Sequence, residues 1–202
     1  MTAPLSLVLA VAFAQAAEPA EHPNRVTATL YGFSVPDEPD FLMVVASAER
    51  GPLHVEGRYN YEGLYSGSVF VGLTGRGGGR VHVDATGMLG VAFGDVHGLV
   101  PAARLTLSWW KLDLVTEAES LFDPGDPAAA FFYSWSEIGV SPRRWLRLAL
   151  VGQRTRVIHD ALDLQRGVAA SVIVRETLTL SAYELNLGWI SPTYIAAVGV
   201  AL

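Results

Sequence analysis

Apolar and polar residues alternate along almost the whole chain, in short segments separated by turn residues. The first segment places Val26 and Leu30 on one side of a strand and Thr27 and Thr29 on the other. A period of two residues is that of a β-strand, and helical periodicity is almost absent. The pattern predicts an all-β fold of about twelve antiparallel strands, with ten as the alternative count.

The composition limits where the apolar residues can lie. Half of the 202 residues are hydrophobic and 17% are charged, yet no segment approaches the roughly 18 consecutive apolar residues of a transmembrane helix. Short alternating strands of this kind indicate either an unusually large core or a barrel whose wall faces lipid. The net charge of -6 argues against a nucleic-acid partner. The absence of cysteine excludes disulfides and thiolate metal sites.

The connections between the predicted strands are of two kinds. Those after even-numbered strands are short and often basic, as at Arg50, Lys111 and Arg175. Those after odd-numbered strands tend to be longer and acidic, as at residues 37–40 and 160–163. Short turns at one end and longer loops at the other are typical of membrane barrels. We therefore predict a closed, up-and-down transmembrane β-barrel with both termini on the periplasmic side.

The last nine residues resemble the closing strand of a Gram-negative outer-membrane β-barrel. Tyr194, Val198, Val200 and Leu202 share one face, and small residues such as Gly199 occupy the other. Proteins of this class usually end in Phe or Trp, and Leu202 departs from that pattern. The resemblance implies contact with outer-membrane lipid and lipopolysaccharide, and recognition of this strand by the barrel-assembly machinery. The alternative is the last strand of a soluble sandwich.

The N-terminus has the pattern of a secretory signal peptide. Residues 5–17 are a short apolar run that includes Ala14-Gln15-Ala16, a small-residue cleavage pattern. No Lys or Arg precedes the run, and a short buried helix is the alternative. We predict export to the outer membrane of a Gram-negative cell and three parts: a signal peptide (1–17), a short periplasmic tail (18–24) and the barrel (25–202).

Two predicted hairpins bring an acid opposite a base. A two-residue turn at residues 110–111 places Arg104 opposite Glu117, and a three-residue turn at residues 141–143 places Glu137 opposite Arg147. Both pairs lie on the face away from the aliphatic residues. Charges held away from water are tolerable when they are paired in this way.

The charged face of the strands is interpreted as the inside of the barrel, because few charges interrupt the aliphatic face. A soluble periplasmic barrel that binds an apolar ligand needs the reverse arrangement and remains an alternative. Tyr133 and Trp135 share the parity of Glu137, so we expect them inside as well. The candidate lumen-lining residues are His54, Glu56, Arg58, His82, Asp84, Arg104, Asp113, Glu117, Glu119, Glu137, Arg147 and Gln153.

Other aromatic residues lie near the predicted strand ends. Rings at the two edges of an apolar wall form the girdles that contact membrane interfaces. The candidate girdle residues are Tyr61, Tyr65, Trp109, Trp145, Trp189 and Tyr194.

Catalysis has one candidate constellation. His82 and Asp84 lie two residues apart on one strand face, and His54 and Glu56 repeat the spacing. A carboxylate beside an imidazole can orient a general base. Barrel enzymes such as omptin proteases, phospholipase A and lipid A acyl-modifying enzymes are similar in placing polar residues near one rim, but their local motifs are not present. We assign no catalytic residue, metal site or cofactor, and favour an ion-pair network filling the lumen.

In size and strand count the chain resembles the small monomeric twelve-stranded oligosaccharide porins, whose lumens select acidic sugars with arginines. The resemblance implies such a role for Arg58, Arg104, Arg147, Arg154 and Arg156. The candidate lumen has at least as many acids as bases, however. We predict a narrow porin-like channel for small solutes or a structural barrel with a polar, salt-bridged lumen. The alternatives are a barrel enzyme acting on envelope lipid or peptide, and the soluble ligand-binding barrel.

Overall fold

The chain forms one closed barrel of twelve antiparallel strands in the residues that its computed structural model describes, 24–157, 162–188 and 191–202. Each strand pairs with its neighbours in sequence, and the last pairs with the first. The predicted up-and-down barrel of about twelve strands is confirmed. The strands are β1 (Asn24–Ser34), β2 (Phe41–Arg50), β3 (Leu53–Tyr59), β4 (Ser66–Gly78), β5 (His82–Gly94), β6 (Gly98–Trp109), β7 (Leu112–Leu121), β8 (Phe131–Arg143), β9 (Leu146–Val157), β10 (Asp163–Val174), β11 (Leu178–Leu185) and β12 (Thr193–Ala201).

Other parts of the chain add little to this architecture. The predicted signal peptide (1–17) lies outside the described residues, as does the predicted tail (18–24) apart from Asn24, which begins β1. Residues Pro127–Ala129 form a single 3-10 turn between β7 and β8. No helix in the described parts of the chain is long and apolar enough to cross a membrane.

The two ends of the barrel differ as the sequence predicts. At one end, here the turn end, strands are joined through residues 51–52, 79–81, 110–111, 144–145 and 175–177. The opposite end, the loop end, carries the longer connections, such as residues 35–40, 60–65 and 122–130. Tight reversal needs positive φ, which Gly51 (57°) and Trp110 (54°) adopt.

The C-terminal strand closes the barrel at the turn end. The Leu202 amide donates to the Val26 carbonyl (2.8 Å), and the Val26 amide donates to the Leu202 carbonyl (2.9 Å). Side chains of β12 alternate as predicted, with Tyr194 and Val198 exposed on the outer wall and Ala197 buried inside. The terminal leucine therefore completes the ladder between β12 and β1.

One of the two predicted hairpin registers is confirmed and the other is wrong. Arg104 pairs with Glu117 across β6 and β7, as predicted. Across β8 and β9, Glu137 pairs with Val151 instead of Arg147. The strand continues past Ser141, so the turn lies at residues 144–145. The predicted and observed partners of Glu137 are four residues apart on β9. A shift by an even number of residues leaves every side chain on its predicted face.

The connection at residues 60–65 folds into the barrel. Asn60 has a positive φ of 57°. Its side-chain amide donates to the Leu42 carbonyl (2.8 Å), and its side-chain oxygen accepts from the Tyr65 amide (2.7 Å). This reversal takes Tyr61 and Glu62 inside, where both are completely buried. The prediction that Tyr61 belongs to an outer aromatic girdle is therefore wrong.

Replacing Asn60 by Ala should destabilise the folded chain by about 2 kcal/mol, because two hydrogen bonds are lost and alanine resists positive φ. Asn60→Gly loses the same hydrogen bonds but tolerates the backbone, so its cost should be smaller. Equilibrium urea unfolding measures both. Equal stability of the two variants would show that the backbone conformation of Asn60 contributes nothing.

Candidate functional site: ion pairs buried inside the barrel

The candidate lumen residues divide by depth. His82 is exposed at the turn end, Asp84 is half-buried, and Arg104 has 14% of its side chain exposed. The other nine side chains are buried inside the barrel: His54, Glu56, Arg58, Asp113, Glu117, Glu119, Glu137, Arg147 and Gln153.

Arg58 is the centre of the larger group of charges. Its Nε donates to Glu56 Oε1 (2.6 Å), its Nη1 to Glu119 Oε2 (2.7 Å) and its Nη2 to Glu117 Oε1 (2.9 Å). Glu62 Oε1 lies 3.7 Å from Nη1. The Arg58 side chain has no exposed surface, so the protein carboxylates supply the interactions that water would otherwise provide.

Two aromatic rings enclose the same guanidinium. The Arg58 Cζ lies 4.0 Å from the ring centroid of Tyr61 and 4.2 Å from that of Phe70. Cations are attracted to ring faces at such distances. The Tyr61 hydroxyl also donates to Glu117 Oε1 (2.8 Å). Charge and aromatic packing therefore meet at one residue.

Arg104 joins the group from β6. Its Nε donates to Glu117 Oε2 (2.9 Å), and its Nη2 lies 3.1 Å from Glu56 Oε2. Glu56 and Glu117 therefore each bridge two arginines. We call the group the Arg58 cluster, and its members are Glu56, Arg58, Glu62, Arg104, Glu117 and Glu119.

A chain of ion pairs extends from this cluster to the turn end. His54 Nε2 lies 3.2 Å from Glu56 Oε2, and its Nδ1 lies 3.2 Å from Glu49 Oε1. Glu49 also pairs with Arg76, whose Nε donates to Asp84 Oδ2 (3.1 Å). The exposed Arg76 and the half-buried Asp84 form the outer limit of this chain.

Arg147 organises a second, separate group. Its Nη1 donates to Glu137 Oε2 (2.5 Å), and its Nε lies 3.0 Å and 3.1 Å from the two carboxylate oxygens of Asp113. The Trp135 Nε1 donates to Glu137 Oε1 (3.0 Å). The ion pair between Glu137 and Arg147 forms although the two residues are not cross-strand partners, because the arginine side chain is long.

Acids outnumber bases in the Arg58 cluster, which has four glutamates and two arginines. Within the described residues, Glu62 Oε2 and Glu119 Oε1 are buried without a hydrogen-bond partner. Burial raises the pKa of Glu62, which lies in the connection outside the strands, although Arg58 opposes this effect. Burial therefore disfavours the charged form of the Glu62 carboxyl group.

Large side chains fill the loop-side half of the interior. Tyr61 and Tyr133 meet edge to face (6.3 Å between centroids), as do Trp135 and Tyr183 (5.8 Å). Tyr133 and Trp135 are inside, as predicted. The buried apolar cluster receives side chains from eleven of the twelve strands, and β3 supplies Arg58 and Glu56 instead. Side chains lining a wide pore would be exposed to water, whereas these are buried.

The possible catalytic pair does not form in this structure. Asp84 binds Arg76, and no hydrogen bond joins it to His82 among the described side chains. His54 does contact Glu56, but it is 1% exposed and so closed to substrate. No group of three His, Cys, Asp or Glu residues suited to a metal ion occurs in the described part of the chain.

Two residues considered for solute passage lie elsewhere. Arg154 and Arg156 are exposed on the outer wall of β9, with the inward positions taken by Gln153 and Thr155. Their assignment to the lumen is wrong. Both share the parity of Leu148 and Leu150, which also face outward.

Sequence reasoning missed Glu49, Glu62 and Phe70. Alternation along β2 carries a signal for Glu49, because Ser47 shares its parity near the end of the strand. Phe70 alternates with Val69 and Val71, which face outward. Glu62 has no such signal, because its position depends on the fold of the connection.

Comparison with known proteins identifies the fold alone. No protein-family model matches the chain, and no curated protein matches its sequence. The KdgM porin matches with a TM-score of 0.62 and 9% sequence identity, covering 87% of this chain and 97% of that chain. The KdgM porin in complex with disordered oligogalacturonate matches with 0.61 and 9%, covering 88% and 97%. Pseudomonas aeruginosa OccK5 (OpdH) is more distant, with 0.49 and 7%, covering 89% and 67%.

The chain thus has the barrel fold of the KdgM porin. The resemblance to small twelve-stranded porins that the sequence predicts is confirmed for the fold. The TM-scores measure backbone similarity, whereas the sequences share only 9% of their aligned residues.

Gly90 leaves the space that Phe70 occupies beside Arg58. A Cβ atom at Gly90 would lie 2.4 Å from the Phe70 ring, whereas one at Gly87 on the same strand would meet nothing within 4 Å. Gly90→Ala should lower the free energy of unfolding by about 1–3 kcal/mol through overpacking. Gly87→Ala is the matched control and should change it little. Urea unfolding compares them, and equal effects would contradict tight packing at Phe70.

Replacing Glu62 by Gln should reduce the pH dependence of stability. The folded-state pKa of Glu62 is raised by burial, so its contribution is fully present below the unfolded pKa and is lost as pH rises through the folded pKa. As the pH rises above the ordinary glutamate pKa of about 4.3, the wild type should lose more stability than Glu62→Gln. The exposed Glu176 supplies the control, Glu176→Gln. Parallel pH profiles for wild type and Glu62→Gln would contradict this account.

Proposed function

We propose that the chain is an outer-membrane β-barrel protein with a polar, salt-bridged lumen that is closed on the loop side. The observation that carries the proposal is the outer wall. In the described residues, 37 large apolar side chains are exposed, far more than the scattered apolar surface of a soluble protein requires. Mid-strand members of this set include Val71, Leu89, Ile138, Leu150 and Val198.

Aromatic side chains at both edges of this wall support the same proposal. Trp109, Trp110 and Trp145 are exposed at the turn end. Rings at the two edges of an apolar band match the girdles of outer-membrane barrels. The loop end carries Tyr59, Tyr65, Phe93, Phe122, Phe132 and Tyr194. Of the girdle residues suggested by the sequence, Trp189 lies outside the described residues.

The distribution of charge opposes the soluble ligand-binding barrel. Such a barrel needs an apolar cavity inside and charges on the outside. Here Arg58, Glu117 and Glu137 are buried in the interior, and aliphatic residues form the wall. A lipid surrounding accounts for the apolar outer wall, because such a wall is favourable in lipid and unfavourable in water.

A closed, structural barrel fits the interior better than a permanently open pore. Arg58, Arg104 and Arg147, the three arginines held within the barrel among the described residues, are all bound to carboxylates. An arginine that selects anionic solutes needs its donors free for the solute. Small solutes therefore remain candidate partners only if the loop-side packing opens.

Export and assembly belong to the same proposal. A signal peptide at residues 1–17 would deliver the chain to the periplasm of a Gram-negative cell. The barrel-assembly machinery would then recognise β12, whose outward face carries Tyr194, Val198 and Val200. The pairing of Leu202 with Val26 supports this step, because it shows that β12 closes the barrel against β1.

Spin labels test the membrane location, because the chain has no native cysteine. Nitroxide labels at Val71→Cys and Leu150→Cys should collide more with oxygen than with a water-soluble nickel chelate in reconstituted vesicles, since apolar oxygen concentrates in lipid. A label at Arg80→Cys, in a turn of the exposed turn end, should show the opposite ratio. Preferential nickel collisions at both wall positions would contradict a membrane barrel.

Osmotic swelling tests whether the lumen is closed. Vesicles containing the protein should swell in arabinose at the rate of protein-free vesicles, because buried side chains fill the loop-side interior. An open general porin in parallel vesicles is the positive control. Rapid swelling with this protein, at a matched amount of inserted barrel, would contradict the closed lumen.

A further inference from the structure

Three basic residues stand apart from all others in the chain. The protein has 14 lysines and arginines; three of them are held in the barrel interior, and most others lie in or beside the turns of the turn end. Arg154 and Arg156 on β9 and Arg166 on β10 are instead exposed on the outer wall near the loop end. We call these three residues the wall arginines.

The wall arginines are neighbours on one surface. Arg154 pairs with Leu164 across β9 and β10, and Arg166 lies two residues beyond Leu164 on the same face. Diagonal neighbours of this kind are roughly 7–8 Å apart, and Arg156 follows Arg154 on its own strand at roughly 7 Å. Arginine side chains are long enough to converge on one ligand from such positions.

The described residues near the wall arginines leave their charges largely uncompensated. Among the described residues, no ion pair within 4.0 Å joins a carboxylate to any wall arginine. Arg154 lies over the Phe132 ring, with 5.9 Å from Cζ to the centroid. Glu184 on β11 is the nearest acid in the pairing pattern, since it pairs with Val168 beside Arg166. One carboxylate cannot neutralise three guanidinium groups.

The position of the wall arginines selects their ligand. They lie on the wall, beside the exposed Phe132 and Leu164, and do not face the lumen. The connections of the loop end are acidic, as at Asp37, Asp95 and Asp126, and so would repel anions elsewhere on that end. Guanidinium groups bind phosphate through paired, charge-assisted hydrogen bonds.

We propose that Arg154, Arg156 and Arg166 form a binding site for the phosphate groups of a lipid headgroup at the loop-end surface of the membrane. This inference rests on the proposed membrane location and names a specific lipid contact for it. The apolar wall below the arginines receives the acyl chains, and the guanidinium groups hold the phosphates. The site fixes one side of the barrel to an anionic lipid.

A pair of triple variants tests the site. Arg154→Gln, Arg156→Gln and Arg166→Gln together remove the wall arginines. The matched control replaces Arg143, Arg144 and Arg175 by Gln, which removes the same charge from the turn end of the same strand group. Both variants are purified in detergent, and gel mobility before and after heating verifies that each is folded.

Native mass spectrometry then measures binding of lipid A, which carries phosphates, and of dephosphorylated lipid A. The wall variant should bind lipid A at least about tenfold more weakly than wild type does, because each surface arginine adds to the attraction for anionic lipid. The control should match wild type. Removing the lipid phosphates should weaken binding to wild type and leave the wall variant unchanged, and excess inorganic phosphate should not displace the lipid.

Equal lipid A affinity in the two triple variants would overturn the site. Undiminished binding of dephosphorylated lipid A to wild type would do the same, and displacement by inorganic phosphate would assign the arginines to a free anion instead. Each of these outcomes is compatible with spin labels that report lipid at Val71 and Leu150. Failure of the membrane location would be seen in those labels alone.

Discussion

The burial of the Arg58 guanidinium constrains the rest of the interior. A cation with no exposed surface is stable only if nearby groups replace its hydration. Glu56, Glu117 and Glu119 lie 2.6–2.9 Å from its nitrogens, and they come from strands on different sides of the barrel. The aromatic rings of Tyr61 and Phe70 enclose it. Satisfying this one residue therefore draws separate parts of the wall and a connecting segment towards the same point.

This arrangement fills the interior of a barrel whose backbone resembles that of the KdgM porin. The backbone of a twelve-stranded barrel sets the width, but side chains decide what remains free. Here ion pairs and aromatic rings share the interior, since Tyr133 and Trp135 are the cross-strand partners of Glu119 and Glu117. On the wall, aliphatic side chains face outward. The interior thus holds buried ion pairs beside aromatic and other apolar side chains, and the outer wall is largely aliphatic.

Alternation in the sequence predicted the strands and their faces because the period of two is a local property. The face of Arg147 was predicted correctly although the register between β8 and β9 was wrong, because a shift by an even number of residues preserves the face. The same rule would put Arg154 outside, because Gln153 faces inward, but the resemblance to sugar-selective porins implied a role in the lumen. Tyr61 and Glu62 could not be placed, because their burial follows from the reversal at Asn60 and from contacts with β7. Which carboxylates each arginine binds likewise depends on side chains that meet across the barrel.

The most direct test of this account is a double-mutant cycle between Arg58 and Glu117, whose charged atoms are 2.9 Å apart. Free energies of unfolding are measured for Arg58→Met, Glu117→Gln and the double variant. Either single change removes one partner of a buried charge that keeps its others, Glu56 and Glu119 for Arg58 and Arg104 for Glu117. Each should therefore cost several kcal/mol, at most the roughly 3–5 kcal/mol of a fully broken buried pair. The double variant should cost less than the sum by about 1 kcal/mol or more. Additivity within about 0.5 kcal/mol would contradict the claim that this buried pair organises the interior.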